Sequence, residues 1–332
     1  CVENVDPTIS SLGEQLSLRR AVAQFKHVDT TLVGSGDDAA VVAVSDGRFV
    51  VTTDTMVEYH DFRQEFSTGF DLGFKAVASN VADVAAMGAT PIALVVAMVI
   101  PSDTKQSWLE DFAKGLQAGI DELCPTAEIV GGDLASGPQI VISVTAHGHL
   151  EGRSPVVRSG AKPSDKVALA GTLGRAACGL DLLFHEDQSL ASAYDEWVSI
   201  QLRPKPPIAL GIEAAKWATA MMDVSDSLSL DSHRLARASG VSIRLSRSAL
   251  EGYAAVLELA QQSMTARDGV VRDPMDWVLF GGEDHSLLAT FPADTEVPRG
   301  FKVIGEVIEQ QETAVFLDQQ PLAEKGWDSI RG

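Results

Sequence analysis

A set of aspartates stands out by position in an acidic chain. Asp38 follows the glycines of "GSGDDAAVV", Asp54 closes "VTTD", and Asp133 follows the paired glycines of "IVGGDLASGP". Asp83 lies in a helix-like run of small residues, and Asp223 and Asp226 flank a short turn in "MMDVSDSLSLD". Each sits at the end of an apolar run or on a small-residue face, where an uncompensated carboxylate is costly to bury. Hard oxygen donors without His or Cys clustering suit Mg²⁺, not zinc. Mg²⁺ is held by a few carboxylates together with waters and substrate phosphates. Several such ions would neutralise phosphates that a chain of formal net charge -20 otherwise repels. The residue types point to a Mg²⁺-dependent enzyme acting on a phosphate ligand.

Taken singly, each motif is weak. Gly and Asp are ordinary turn residues, and a turn explains "GSGDD" or "GGD" equally well. Ser225 or Asp226 can be the N-cap of a following helix, which leaves Asp223 unexplained. "LFGGEDHSLLATF" repeats the theme with Glu283 and Asp284 ahead of a strand. There is no GxxxxGK[ST] loop and no HRD or DFG set, and "GTLGRAACG" reads as a structural loop at the start of a helix.

These acids need elements to hold them. From Gly69 to about Met87 the spacing predicts a helix with the apolar stripe Phe74, Val77, Val81 and Val84. Asp83 projects nearly opposite that stripe, among Ser79, Asn80, Ala82 and Ala86, so both faces should be covered and Asp83 partly buried. Lys75 is a possible countercharge. "AVVAVSDGRFVVTTD" predicts two strands joined as a hairpin at Asp46-Gly47. A strand over Ile92–Ile100, a helix over Lys105–Glu122 and the alternating strand "IVISVTAHGHL" follow. Residues 1–155 thus read as an α+β domain, a mostly antiparallel sheet with flanking helices. The Gly-, Pro- and Ser-rich stretch from Glu151 to Asp165 is the boundary. Residues 156–332 read as an α/β domain with strands "KVALA" and "TAMMD", a helix after Ser225 and short strands from Ser286.

At 332 residues, two domains are the default expectation. No apolar run is long enough to span a bilayer, and the net charge argues against nucleic acid or an anionic membrane as partner. The 3 cysteines, Cys1, Cys124 and Cys178, show no ligand spacing, and without a secretory signal a reducing cytoplasm is expected. A chain that opens on Cys in place of Met is expected to be trimmed or renumbered.

In order, "GSGDDAAVV", "TTDTMVE", "GFKAVASNVADVAAMGATP", "GGD", "VVRSGAKPSD", "DVSD", "GGEDH" and the closing "GW" resemble the thiamine-monophosphate kinase family, from about Gly13 to Trp327. That family shares a superfamily with aminoimidazole ribonucleotide synthetase, selenophosphate synthetase and a hydrogenase maturation factor. The resemblance implies a homodimer paired through its N-terminal sheets, and transfer of the ATP γ-phosphate to thiamine monophosphate. It implies Asp38, Thr52, Thr53, Asp54, Asp83, Asp133, Asp223 and Asp226 as magnesium ligands, with Asp54, Asp83 and Asp226 closest to the chemistry. Gly132, Asp133, Arg158 and Ser225 would contact ATP. Glu283 and Trp327 would contact thiamine, the one as an acid near the rings and the other as a face to stack on them.

Two positions depart from the family pattern. "EYHDF" puts Asp61 where a His is usual and His60 one place earlier, both near the expected acceptor. "DVSDSL" puts Ser227 where the family has glycine, so a side chain there either crowds the nucleotide or fills space. The competing readings are another ATP-using enzyme of the same superfamily, or a non-catalytic sensor of thiamine phosphates or nucleotide.

Overall fold

The computed structural model describes residues 6–12, 14–33 and 41–327. Asp38, most of "GSGDDAAVV" and Cys1 lie outside the described residues. The chain divides into two compact units, Cys1–Val84 with Thr90–Gly152, and Ala85–Ala89 with Arg153–Gly332.

In the first unit, helices α1 (Ile9–Leu12) and α2 (Glu14–Val22) precede a short antiparallel pair, β1 (Thr31–Val33) and β2 (Val41–Val42). A 4-stranded sheet follows, made of β3 (Phe49–Val57), β4 (Thr90–Ile100), β5 (Glu128–Ser136) and β6 (Val141–His149) in the order β3-β6-β4-β5. β6 pairs antiparallel with both β3 and β4, and β4 pairs parallel with β5. This is the mostly antiparallel sheet the sequence predicts.

Helices α3 (Gly69–Ala86) and α4 (Gln106–Leu123) fall within a residue or two of their predicted spans. Their backbones cross in contact. A Cβ on Gly73 would lie 2.1 Å from the Phe112 carbonyl oxygen, and one on Gly115 would lie 2.0 Å from that of Phe70. Only glycine permits that approach.

Alternation along β6 sorts the faces of the sheet. Ile142, Val144, Ala146 and Gly148 are buried, while Ser143, Thr145 and His147 between them are half-buried. Register carries the pattern to β3, where Thr52, Asp54 and Met56 stand opposite Ala146, Val144 and Ile142. Val51, Thr53 and Thr55 then point to the other face, and all three are exposed.

The predicted hairpin does not form. β2 pairs with β1, whereas all 9 residues of β3 pair with β6. The Asp46-Gly47 turn is closed locally by the Asp46 carboxylate, which accepts the Arg48 N–H at 3.1 Å, and it is tied to the distant Gly152 N–H at 3.0 Å. A two-residue β2 cannot compete with the longer ladder that β6 offers.

The second unit opens with β7 (Lys166–Ala170), then α5 (Arg175–Phe184), α6 (Ser189–Ala193), α7 (Asp195–Leu202) and α8 (Ile208–Ala214). Next come β8 (Ala220–Val224), α9 (Leu228–Ser239), β9 (Ser242–Leu245), α10 (Arg247–Ala255), α11 (Glu258–Asp268) and α12 (Pro274–Phe280). It closes with β10 (Ser286–Phe291), β11 (Phe301–Ile308), β12 (Val315–Leu317) and β13 (Gln320–Pro321). The 7-stranded sheet has the order β13-β12-β9-β11-β7-β10-β8 and is antiparallel except between β12 and β9. Strand β10 is buried along its whole length, and Phe291 meets Phe301 edge-on at 5.3 Å within a core of Val156, Ala168, Ala170, Met221, Leu287 and Ala289.

Candidate functional site

The first unit places one group of the predicted acids on β3 and α3. The Thr52 hydroxyl donates to Asp83 Oδ2 at 2.7 Å, joining strand to helix. Asp54, two residues along, shares the face of Thr52 and accepts the Thr55 N–H at 2.9 Å. α3 is buried on nearly all sides, and Asp83 is half-buried, as the small-residue face predicts. Thr53 points the other way, its hydroxyl donating to the Val144 carbonyl at 3.0 Å.

Gly132 and Asp133 lie on the opposite edge strand. Register runs Asp54, Val144, Val96, Gly132 across the sheet, and Asp133 stands opposite Ala97, one step on. Three strand spacings separate the edges, roughly 14 Å, and Asp133 falls on the other face. The structure does not bring Asp54 and Asp133 together within the unit. Both sit in mid-strand, not at a strand end as the sequence suggests, because β3 and β5 continue through the acids.

The turn after β3 explains "EYHDF". Asp61 Oδ2 accepts the Val57 N–H at 2.8 Å, and Asp61 Oδ1 lies 3.0 Å from His60 Nδ1. Asp61 thus builds the turn that carries His60, with Tyr59 in the left-handed region at φ 68.

In the second unit, separate stretches of sequence converge beyond the end of β8. The Glu283 N–H donates to the Ser225 carbonyl at 2.7 Å, and the Trp327 N–H donates to the Asp226 carbonyl at 3.0 Å. Asp223 is buried on β8, with His285 Nδ1 3.4 Å from its Oδ2. Ser225, Asp226, Glu283 and Trp327 are therefore neighbours through hydrogen-bonded backbone. Arg158 is exposed on the β8 edge, where the next carbonyl back, that of Val157, accepts the Met221 N–H at 3.3 Å. Trp327 is 39% exposed, so it does not close the core.

Asp231, Arg234 and Gln201, which the sequence did not single out, frame this corner together with Asp284. Asp231, buried on α9, accepts the Asp226 and Ser227 N–H groups at 3.1 and 3.2 Å. Arg234 bridges Asp226 at 2.5 Å and Asp231 at 2.7 Å. Burial, reinforced by the nearby Asp223 charge, pushes the Asp231 carboxyl up to about 6, against the pull of the Ser227 N–H and Arg234. The i,i+3 spacing of Asp231 and Arg234 was the signal available for this pair. Gln201, buried on α7, donates to Glu283 Oε2 at 2.6 Å, and no sequence pattern announces it. Asp284 is buried, its carboxyl raised mainly by that burial, and it accepts the Thr172 hydroxyl at 2.6 Å. That bond gives "GTLGRAACG" a structural partner.

Ser227, where the resemblance leads one to expect glycine, is itself the N-cap of α9, a role the sequence left between Ser225 and Asp226. Its hydroxyl accepts the Leu230 N–H at 2.9 Å and donates to the Lys325 carbonyl at 2.7 Å. The added side chain is turned inward and fully buried.

Among the described residues no three His, Cys, Asp or Glu side chains form a ready metal cage. The donors that gather are carboxylates and hydroxyls. Such a set fits Mg²⁺, which takes few protein ligands and keeps waters and phosphates in its shell.

Comparison with known proteins places these features. A family model described as AIR synthase related protein, N-terminal domain, matches residues 36–150. The thiamine-monophosphate kinase of Mycobacterium tuberculosis is 40% identical to this chain, over 98% of the chain and 93% of that protein. The crystal structure of the enzyme of that name from Stenotrophomonas maltophilia superposes with a TM-score of 0.75 at 31% identity, covering 92% of this chain and 96% of that one. A structure of AaThiL complexed with AMPPCP and TMP superposes with a TM-score of 0.72 at 32% identity, covering 84% and 86%.

Proposed function

The chain belongs to the thiamine-monophosphate kinase family, and on that premise we propose that it transfers the γ-phosphate of ATP onto the phosphate of thiamine monophosphate. The product is thiamine diphosphate. One observation carries the reading to this chain's own residues, the convergence of Asp223, Ser225, Asp226, Glu283 and Trp327 at one corner of the second unit. An acid and a half-exposed indole beside a turn of further acids suit a cationic ring system joined to phosphate.

The acceptor phosphate is already ionised at neutral pH, so the reaction needs no strong general base. Positioning and charge neutralisation carry it. Thr52, Asp54 and Asp83 in the first unit, and Asp223 and Asp226 in the second, would hold magnesium. Asp38 would be a further ligand, and Thr53 and Asp133, on the other face of the sheet, would serve ions other than the one at Asp54. When bound, magnesium supplies the positive charge that lets phosphates approach this acidic protein. Arg158 contributes a permanently charged planar fork for phosphate, and Gly132 and Ser225 line the nucleotide. His60 and Asp61 lie on the acceptor side. Arg234 holds Asp226 in place, and Gln201 does the same for Glu283.

We assign nucleotide binding and dimerisation to residues 1–155 and completion of the active site to 156–332. The exposed sheet face bearing Phe49, Val51, Thr53 and Thr55 supports pairing with a second copy, which light scattering would report as a dimer mass. No helix among the described residues is long and apolar enough to cross a membrane. Cys124 and Cys178 are free thiols, which agrees with reaction in the cytoplasm.

The test is direct. The protein is mixed with ATP, MgCl₂ and thiamine monophosphate, and the products are separated after oxidation to thiochromes. A Mg²⁺-dependent thiamine diphosphate peak from the monophosphate, absent with free thiamine, is expected. No peak from folded, nucleotide-binding protein would move the reading to a different acceptor or to a sensor.

A further inference from the structure

Residues 322–327 have no regular secondary structure, yet they are stitched to the first turn of α9. The Ser229 hydroxyl donates to the Ala323 carbonyl and accepts the Lys325 N–H at 3.4 Å. The Ser227 hydroxyl donates to the Lys325 carbonyl at 2.7 Å. Arg237 pairs with Glu324 farther along the helix, and Lys325 Nζ sits 5.2 Å from the centre of the Phe280 ring. At Gly326 a Cβ would fall 2.6 Å from Ser227 Oγ and 2.7 Å from the Asp226 carbonyl oxygen, so glycine is what lets the segment lie this close. The next residue is Trp327, tied through its N–H to Asp226.

Both serine side chains are buried and their hydroxyls are used on this segment. Neither is required for the sheet, and α9 gains a cap only from Ser227. Ser229 has no local task in the helix. Its two bonds go to a stretch nearly a hundred residues on in sequence, whose order depends on such ties.

We propose that Ser229, together with Ser227, is a positioning residue for the acceptor, a latch that sets the Trp327 indole against the Asp226 turn before substrate arrives. The inference rests on the reading of Trp327 as a thiamine contact. With the latch intact the segment is ordered during folding, so binding does not have to order it. Without it the indole must be recruited at each encounter, which weakens acceptor binding and leaves phosphoryl transfer from a bound complex unchanged.

Steady-state kinetics of Ser229→Ala, Trp327→Ala and the double variant separate these claims. Ser229→Ala is expected to raise KM for thiamine monophosphate about tenfold, with kcat and KM for ATP within about twofold of the parent. In the Trp327→Ala background the same change should add less than about twofold, since both act through one group. Hydrogen exchange at the Lys325 amide should be faster in Ser229→Ala. An unchanged KM in Ser229→Ala beside a raised KM in Trp327→Ala overturns the latch and leaves Trp327 as a contact. An unchanged KM in Trp327→Ala overturns the reading of that residue, and with it the latch's purpose. A fall in kcat, or an equal rise in KM for ATP, marks Ser229 as general support and also overturns the proposal. Should Ser229→Ala not fold, Arg237→Ala decides at the surface tie to Glu324, with a rise in KM for thiamine monophosphate of about threefold expected and no rise fatal.

Discussion

Asp54 and Asp133 stand exposed on strands of the first unit, whereas Asp223, Asp231 and Asp284 of the second are buried beneath a turn. The exposed pair keeps its hydration, so each acid can be offered to a ligand at little cost to the fold. The buried set contacts a histidine, an arginine, backbone N–H groups and a hydroxyl, and those contacts fix the segments that carry Ser225, Asp226 and Glu283. Similar residues therefore divide their labour by burial. The first unit's exposed acids are expected to be dispensable for stability and costly for turnover, whereas Asp231 and Asp284 act through the fold and Asp223, buried yet offered to magnesium, serves both.

The largest effect expected from that division is at Asp54. Asp54→Asn keeps shape and exposure and removes a negative charge, so kcat should fall about a thousandfold, the scale of losing one electrostatic contact to a reacting centre. The melting temperature should stay within about 2 °C, as for a surface change. Thiochrome assays paired with calorimetry would check both halves. A large drop in melting temperature would break the comparison, because Asp54 would then be framing the fold.

Arg234 probes the other side. Its removal leaves Asp231 buried beside Asp223 and Asp226 with less compensation. The expected loss is about 3 kcal/mol, the low end for a broken buried pair, because the Arg234 side chain is 39% exposed. Urea unfolding of Arg234→Ala would measure it. Combining it with Asp231→Asn should recover part of the loss, since no buried charge is then stranded. Equal destabilisation in the single and double variants would mean that Arg234 acts through packing alone.

Much of this division is legible in the sequence, and the remainder is hidden for physical reasons. The α3 pattern, an apolar stripe opposite small residues, places Asp83 at a covered surface, and Asp83 is half-buried there. Strand β6 announces itself by strict alternation. The hairpin expected at Asp46-Gly47 fails because a turn signal is local, and the partner that β3 takes begins at Val141. Asp54 and Asp133 look like strand ends because a carboxylate interrupts an apolar run, while the backbone ladder is indifferent to it. Ser227 is hidden as a cap by two better-placed candidates, Ser225 and Asp226. Gln201 cannot be found at all, since one polar residue on a short helix carries no period.

The smallest effect is the most specific to the buried set. Asp231 titrates near 6 in the folded protein against 3.8 for an ordinary aspartate. The folded state holds that proton more tightly than the unfolded chain does. Its contribution to stability is therefore fully present below about pH 4 and is lost as pH rises through 6. Each tenfold gain in proton affinity is worth about 1.4 kcal/mol, so with a discount for the coupled charges of Asp223 and Asp226 the loss should be about 2 kcal/mol. Asp268 runs the other way, held down to about 2 by its bond with Arg272, so its contribution is present above the ordinary aspartate value and lost below it. The two windows do not overlap. The Asp231→Asn variant should accordingly become more stable relative to the parent between about pH 4 and 6.5 and track it below about pH 4. Urea titrations at half-unit steps would trace that difference. A parallel pair of curves would show that Arg234 and the Ser227 N–H already neutralise the burial, and Asp231 would then belong with the inexpensive acids of the first unit.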